Sequence, residues 1–161
     1  MERSVYVMAS ALAILAIVFF WSPLGGQLWQ VQAGWAKGVL IGVFLLGGGI
    51  SFTALQLMDG KDLLGWPQWR AYAYQQPYHP PEMHTPRLYQ LMRHPLYTGI
   101  LLMLWGNPSM SWSRFLLALG FTLYIVVGIY WEERDLVRQF GAAYEVYRKK
   151  VPMLFPWPFR G

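Results

Sequence analysis

Two short polar clusters hold most of the side chains in this sequence that could do chemistry. The first reads Arg93-His94-Pro95-Leu96-Tyr97-Thr98-Gly99, and the second, after a long apolar stretch, reads Glu132-Glu133-Arg134-Asp135-Leu136. A guanidinium, an imidazole and carboxylates offer both signs of charge, so together they can bind a small polar cofactor through charge-assisted hydrogen bonds. If residues 101–131 form a closed helical hairpin, the two clusters meet at one end of it, at a membrane surface.

The composition predicts an integral membrane protein. Of the 161 residues, 55% are hydrophobic and 13% are charged, whereas a soluble domain has about 25% charged residues. Residues 5–21 and 39–57 contain no Asp, Glu, Lys or Arg, and runs of about 17–25 apolar residues match the thickness of a bilayer core. We predict an all-α fold in a single domain, residues 1–161, with about four membrane-spanning helices near 5–21, 37–57, 96–110 and 114–131 plus cytosolic interfacial helices.

The basic residues indicate the orientation of these spans. With four spans, Lys37 and Arg114 lie on one side of the membrane, and the other 11 of the 13 Lys and Arg residues share the opposite side with both termini. The positive-inside rule places that side in the cytosol. The net charge of +5 is thereby explained, and no nucleic-acid partner is expected. Trp21-Ser22-Pro23-Leu24 offers no small-residue cleavage site, so we expect the first span to be retained and not removed as a signal peptide.

Local signals divide the polar stretches into helices and turns. Thr85-Pro86 is typical of a helix start, with Thr85 as N-cap and Pro86 at the first helical position, and Pro95 can start another helix. Asn107-Pro108 interrupts the third span, so that this span can turn back before it crosses the membrane. Residues 132–150 have apolar side chains at helical spacing, which predicts an amphipathic helix on the cytosolic interface. The glycines at 47–49 predict close helix packing and make a homo-oligomer possible.

The polar clusters also have readings without catalysis. Ionisable residues at a membrane edge cost less than at its centre, so an Arg–Glu ion pair could merely tie two helices together. The two adjacent carboxylates also fit an ordinary solvated helix start. The chain has no cysteine, which excludes disulfides, thiolate metal sites and a cysteine nucleophile. The spacing of His79, His84 and His94 matches no helical pair of ligands, so no metal is expected.

The order and spacing of the motifs resemble a known signature. Arg93-His94-Pro95-x-Tyr97-x-Gly99, an apolar hairpin, Glu132-Glu133-x-x-Leu136 and then Phe140-Gly141-x-x-Tyr144-x-x-Tyr147 are similar to the C-terminal region of the isoprenylcysteine carboxyl methyltransferase and phospholipid methyltransferase superfamily. These are membrane-embedded enzymes that use S-adenosyl-L-methionine. The resemblance therefore implies a methyltransferase with that cofactor.

The similarity is closer to one branch, the bacterial methanethiol S-methyltransferases and NnrU-like proteins. Asp62-Leu63-Leu64-Gly65, Thr85-Pro86-x-Leu88-Tyr89 and Val151-Pro152-Met153-Leu154 extend the resemblance on both sides of the central motifs. The cofactor motif region then covers residues 85–157. The branch implies a protein of the bacterial inner membrane that methylates a small thiol such as methanethiol or sulfide.

The resemblance also implies roles for individual residues. Glu132 and Glu133 should include the acid that takes the amino group of the cofactor, and Arg93 is a plausible partner for its carboxylate. Tyr97 or a tryptophan could face the sulfonium by cation–π attraction. The residues implied to line or close the cofactor site are Arg93, His94, Pro95, Tyr97, Gly99, Glu132, Glu133, Tyr144 and Tyr147.

Several alternatives stay open at this point. The general base that would deprotonate a thiol is not identified, and Tyr78, His79 and His84 in the polar middle segment are candidates. The acceptor could instead be lipophilic, such as a prenylcysteine carboxylate or a phospholipid amine. Sterol reductases resemble the same region but bind a nicotinamide cofactor. A non-enzymatic helical membrane protein, with membrane lipids as its partners, is the remaining reading.

Overall fold

The computed structural model describes residues 24–57 and 85–156, with Met8, Leu12, Leu15, Trp69, Ala73, Tyr74 and Met83. The chain forms two compact units, one from Met1–Pro23 and Leu55–Glu82 and the other from Leu24–Ala54 and Met83–Gly161. Nearly all described residues belong to the second unit, and the elements below lie in it apart from the last three residues of α1. The expectation of a single domain over residues 1–161 stays a prediction.

The described elements are five helices and two short strands. In chain order they are β1 (Gln27–Gln30), α1 (Gly34–Leu57), α2 (Arg87–Leu91), α3 (Pro95–Trp105), β2 (Ser109–Ser111), α4 (Trp112–Phe140) and α5 (Ala142–Lys150). The strands form an antiparallel ribbon, in which Gln27 faces Ser111 and Gln30 faces Ser109, with an irregularity between Gln27 and Trp29. This ribbon is the one feature of the described residues that the prediction of an all-α fold did not contain.

Helices α1 and α4 are long and apolar enough to cross a membrane. They have 24 and 29 residues, and only 11% and 17% of their most apolar stretches are buried. Leu45, Phe52 and Leu123 are each at least 60% exposed. Because a soluble protein rarely leaves contiguous apolar surface of this size in water, these outward faces fit a lipid environment. The described part of the chain is a helical membrane protein with two candidate spans.

The other two predicted spans have different outcomes. Helix α3 ends at Trp105, before Asn107-Pro108, and not near residue 110. Its 11 residues rise about 17 Å at about 1.5 Å per residue, roughly half of a bilayer core of about 30 Å. The third span was therefore predicted too long, and the chain after α3 turns into β2. The first predicted span, residues 5–21, lies outside the described residues except for Met8, Leu12 and Leu15, so the count of four stays a prediction.

The close packing predicted for the three central glycines of α1 is confirmed at Gly47. A Cβ atom on Gly47 would lie 2.6 Å from the carbonyl oxygen of Gly99 in α3, and a Cβ on Gly99 would lie 2.5 Å from the carbonyl oxygen of Gly47. The two backbones touch where neither residue has a side chain. Small residues allow this approach between helices in lipid, where packing and not water exclusion favours association.

Helix α4 extends further than the sequence predicted. It continues through Glu132 and Glu133 to Phe140, and the chain breaks at Gly141, with φ +56° and ψ −132°. This left-handed φ suits glycine, which has no Cβ to clash. The amphipathic helix predicted over 132–150 is therefore two helices, the last turns of α4 and the separate α5. The interpretation of Glu132 and Glu133 as a solvated helix start was wrong.

Candidate functional site

The first polar cluster lies at the start of α3. His94 is the N-cap residue of this helix and Pro95 its first helical residue, as the sequence predicted for Pro95. Proline suits that position because its missing N–H would have no partner inside the helix. The preceding helix α2 begins one residue later than predicted. Pro86, and not Thr85, is its N-cap residue, and no side chain caps it.

The second cluster reaches the first through the packed face of α4. Ile125 and Ile129 are buried against α3, where they form an apolar cluster with Leu101. Glu133 follows at the same spacing of four residues, so it continues the buried face and is 7% exposed. Glu132 is one position earlier and points elsewhere on the helix. The two adjacent carboxylates therefore have different environments.

Glu133 is the centre of a buried hydrogen-bond cluster. Its Oε1 accepts from the guanidinium of Arg93, lies 3.1 Å from Nε2 of His94, and accepts from the hydroxyl of Tyr144 at 3.3 Å. Its Oε2 lies 3.9 Å from Nη1 of Arg148. Burying a carboxylate is favourable only when it is paired and hydrogen-bonded. The donors from α5 and from the Arg93–His94 segment meet that need.

Glu132 lies on the open side of the same cluster. Its Oε2 is 3.7 Å from Nδ1 of His94, and its side chain is 44% exposed. The two ring nitrogens of His94 thus face two different carboxylates. Burial and the negative charge of Glu132 together raise the pKa of Tyr89. A half-exposed carboxylate beside the buried ring of His94 can accept a hydrogen bond from a bound amine.

The two tyrosines of α5 close the cluster from one side. Burial, with the nearby charge of Glu133, raises the pKa of Tyr144 to about 12. Burial also raises the pKa of Tyr147 to about 12, and its hydroxyl donates to the backbone oxygen of Tyr89 at 2.5 Å. Both phenols therefore stay protonated at neutral pH and act as donors. Neither can serve as a base there without a large change of environment.

The structure brings most of the predicted site residues together. Arg93, His94, Glu132, Glu133 and Tyr144 share direct contacts. The ring of Tyr97 stacks on that of His94, with centroids 5.8 Å apart. Tyr147 is linked through Tyr144, whose ring centroid is 5.7 Å away.

Two residues predicted to line the cofactor site, Pro95 and Gly99, have contacts that helix structure and packing explain. Pro95 is fully buried at the start of α3. Gly99 packs against Gly47 and Ser51 of α1, so its lack of a side chain is explained by helix packing. The three candidate bases, Tyr78, His79 and His84, lie outside the described residues, and with them the expectation that no metal binds.

Sequence reasoning missed three contributors. Arg148 approaches Glu133 from α5. Thr98, which is 1% exposed, donates from its hydroxyl to the backbone oxygen of Leu154 at 2.6 Å. Residues 151–154 run directly past the first cluster. Thr98 stood inside the quoted motif, and its four-residue spacing from His94 could have indicated a hydrogen bond back to that residue.

One further group of the cluster lacks a partner among the described residues. Nε of Arg93 is buried and makes no hydrogen bond there, although Nη1 of the same guanidinium donates to Glu133. A buried guanidinium N–H without a partner is costly. With the exposed carboxylate of Glu132 nearby, the cluster offers one donor of positive charge and one acceptor of negative charge. That set suits a zwitterionic amino acid group.

Comparison with known proteins finds similar sequences along nearly the whole chain. A methanethiol S-methyltransferase of a Pseudomonas species is 38% identical over 160 residues, which are 97% of this chain and 60% of that protein. Methanethiol S-methyltransferase 2 of Bradyrhizobium diazoefficiens is 41% identical over 155 residues, 96% of this chain and 60% of that protein. The chain is a relative of the methanethiol S-methyltransferases. The resemblance drawn from the motifs is thereby confirmed.

The similarity has a defined extent. The chain spans about 60% of the length of these two relatives. Nurim of Xenopus laevis is a more distant relative, 30% identical over 133 residues that cover 78% of this chain and 47% of that protein. No protein-family model and no solved structure matches the chain.

Proposed function

We propose that this protein transfers a methyl group from S-adenosylmethionine to methanethiol at a membrane. The observation that carries the proposal is the similarity to methanethiol S-methyltransferases along 96–97% of the chain. The buried cluster supports it, because its charges lie at the end of α4, where the apolar stretch gives way to polar residues. A polar donor and a small apolar acceptor can meet at such a boundary.

The proposed cofactor fits the residues present. Glu132 is the carboxylate with room for the amino group of the methionine part, since Glu133 is occupied by Arg93, His94 and Tyr144. Nε of Arg93 has an unused donor for the cofactor's carboxylate. The Tyr97 ring, stacked on His94, offers a π face for a cation. Glu133 then acts as a positioning residue that fixes Arg93 and His94.

The chemistry is a direct displacement. When bound, S-adenosylmethionine supplies an electrophilic methyl group: a lone pair of the thiolate sulfur forms the new S–C bond, and the old bond breaks with its electron pair going to the departing sulfur. The protein's own residues align the donor and exclude water, which are the effects that accelerate such a step. The thiol proton must leave before attack, and Tyr78, His79 and His84 stay the candidates to accept it.

The charge distribution supports one orientation of the site. Helices α1 and α4 both begin beside the β1–β2 ribbon, with Lys37 and Arg114 close to those starts. The remaining cations of the described residues, including Arg93, Arg134 and Arg148, lie away from this ribbon. They are found before α3, in the last turns of α4 and in α5. By the positive-inside rule we propose that the cluster and both termini face the cytosol of a bacterium, where S-adenosylmethionine is made.

The decisive experiment is titration calorimetry of S-adenosylmethionine into the detergent-purified protein. His94→Ala is measured alongside, with Arg138→Ala as a matched control because, among the described residues, Arg138 forms only an exposed ion pair with Asp135. We expect saturable binding that His94→Ala loses and Arg138→Ala keeps. Dimethyl sulfide formed from methanethiol, measured by gas chromatography, then tests the acceptor. A folded wild-type protein that does not bind S-adenosylmethionine would overturn the proposal. Methylation of a lipid or prenylcysteine analogue alone would overturn the thiol as the methyl acceptor.

A further inference from the structure

The segment after α5 lies along the first polar cluster. The backbone N–H of Arg93 donates to the carbonyl of Pro152 at 2.9 Å, and the N–H of His94 donates to the carbonyl of Met153 at 3.0 Å. The hydroxyl of Thr98 donates to the next carbonyl, that of Leu154, at 2.6 Å. Consecutive carbonyls of residues 152–154, hereafter the strap, thus receive three donors from the start of α3.

These backbone bonds pair N–H groups that have no hydrogen-bond partner within the helix. The first N–H groups of a helix and of its N-cap lack partners within it, and Pro95 brings none of its own. Buried backbone groups must be paired, and water is scarce beside an apolar core. The strap supplies that pairing where the Arg93 and His94 side chains turn toward Glu133.

The strap is itself fixed at both ends. Val151 is buried and its N–H donates to Tyr147 of α5 at 3.0 Å. Leu154 packs against the apolar cluster of Leu101, Ile125 and Ile129. Pro152 restricts the backbone between these points, which lowers the entropy lost on ordering it. The strap therefore lies as a fixed element between α5 and the core.

Thr98 links the strap to the cluster through one hydroxyl. Its Oγ lies 3.1 Å from the carbonyl of His94 and 2.6 Å from that of Leu154. A hydroxyl carries a single proton, so the shorter contact takes most of the bond. A displacement of the strap would therefore shift the backbone of His94, and the orientation of the His94 imidazole depends on that backbone.

We propose that the strap and Thr98 position Arg93 and His94 for binding the methyl donor. Thr98 is a positioning residue, since it reaches the cofactor site only through His94 and the strap. The proposal rests on the proposed function for the identity of the donor, S-adenosylmethionine. The ordering of Arg93 and His94 by the strap is independent of it.

The test compares three variants of the full chain. Thr98→Val keeps the shape and removes the hydroxyl, and Thr98→Ser restores it. Thr53→Val is the matched control, because within the described part of the chain the Thr53 hydroxyl bonds only the carbonyl of Gly49 in its own helix, at 2.8 Å. We expect Thr98→Val to weaken binding of S-adenosylmethionine about five- to tenfold, as for a lost buried hydrogen bond, and Thr98→Ser to recover most of it. The KM for methanethiol should not change.

Amide hydrogen exchange tests the hydrogen bonds of the strap in the absence of any cofactor. In the wild-type protein the amides of Arg93 and His94 should be protected, and Thr98→Val should accelerate their exchange while that of α4 stays unchanged. Unprotected Arg93 and His94 amides in the wild type would contradict the ordering of these residues by the strap, whether or not the cofactor binds. Wild-type protein that shows protection but no S-adenosylmethionine binding would count against the proposed function alone.

Two further outcomes decide the remaining cases. If Thr98→Val binds the donor as tightly as wild type, or if both substrates lose affinity together, the positioning role is wrong. If Thr98→Val does not fold, Leu154→Ala replaces it, since that change loosens the strap from the core and leaves the hydroxyl in place. Faster exchange at Arg93 and His94 in Leu154→Ala, with weaker donor binding, would support the proposal, and unchanged exchange would contradict it.

Discussion

Nε2 of His94 lies 3.1 Å from Oε1 of Glu133, although 39 positions separate the two residues. Helix α3 leads away from His94, the β2 turn reverses the chain, and α4 returns far enough to bring Glu133 back. Because α4 has 29 residues and α3 only 11, Glu133 lies well along α4, and this extra length lets the packed face of α4 reach the start of α3. The contact makes one buried site from two motifs.

The two adjacent glutamates should differ in what their loss costs. Glu133→Gln leaves the buried Arg93 without its counter-charge, and breaking a buried ion pair typically costs about 3–5 kcal/mol. We expect a clearly lower unfolding temperature in detergent. Glu132→Gln, at a half-exposed position, should keep the wild-type unfolding temperature and weaken S-adenosylmethionine binding by about tenfold or more, as for a lost hydrogen bond to a charged group.

Differential scanning fluorimetry and calorimetric titration of the two variants separate these effects. Equal destabilisation by both changes would show that Glu132 is also structural. Unaltered donor binding in a folded Glu132→Gln protein would remove it from the cofactor site.

Arg93→Lys tests the shape of the donor group. Lysine keeps the positive charge but lacks the planar fork and the second donor at Nε. One ammonium can remain paired with Glu133, so we expect a folded protein, whereas the proposed bond to the cofactor's carboxylate is lost. Binding of S-adenosylmethionine should weaken about tenfold, measured by calorimetry. Decarboxylated S-adenosylmethionine should bind both forms equally, and a difference there would contradict this role of Arg93.

The raised pKa of Tyr144 predicts how stability changes with alkaline pH. Its pKa is about 12 in the folded protein against about 10 in an unfolded chain. As the pH rises, the unfolded chain loses this proton first, so the contribution of Tyr144 to stability is complete below about pH 10 and is lost as the pH passes toward 12. The unfolding temperature should therefore fall over that window.

Tyr144→Phe supplies the control for the pH dependence. The variant lacks the titrating hydroxyl and also the bond to Glu133, which is worth about 1 kcal/mol. We expect it to be less stable than wild type at pH 8 and to approach wild type as the pH rises from 10 to 12. A constant difference across that range would mean that the environment of Tyr144 does not favour the neutral phenol.

The contact between α1 and α3 predicts a sharp difference between two glycines. A Cβ on Gly99 would lie 2.5 Å from the Gly47 carbonyl, whereas a Cβ on Gly49 meets no described atom within 4 Å. Gly99→Ala should force the helices apart and lower the yield of folded protein and its unfolding temperature. Gly49→Ala, two residues from Gly47 in α1, should leave both unchanged. Comparable stability of the two variants in size-exclusion chromatography and thermal melts would argue against the helix contact.

Residue types and spacing determined much of this site in advance. Apolar runs of bilayer length predicted α1 and α4, because covering about 30 Å of hydrocarbon fixes the length and composition of a helix. The pairing of the Arg93–His94 cluster with Glu132 and Glu133 followed from the apolar stretch between them. The family resemblance came from the same motifs. These features are local or periodic, so a linear sequence contains them.

Other features depended on which surfaces pack together. The face of α4 that packs against α3 decides that Glu133 is buried and that Glu132 lies on the open side. The burial of Ile125 and Ile129 marks that face. The strap and Thr98 act through backbone carbonyls that no side-chain pattern marks. The end of α3 before Asn107-Pro108 agrees with a local signal, whereas the unbroken course of α4 to Gly141 joins two segments that the sequence analysis had separated. The sequence determined which groups are available, and packing decided which of them are buried and paired, because desolvation is a property of neighbours in space and not of neighbours in the chain.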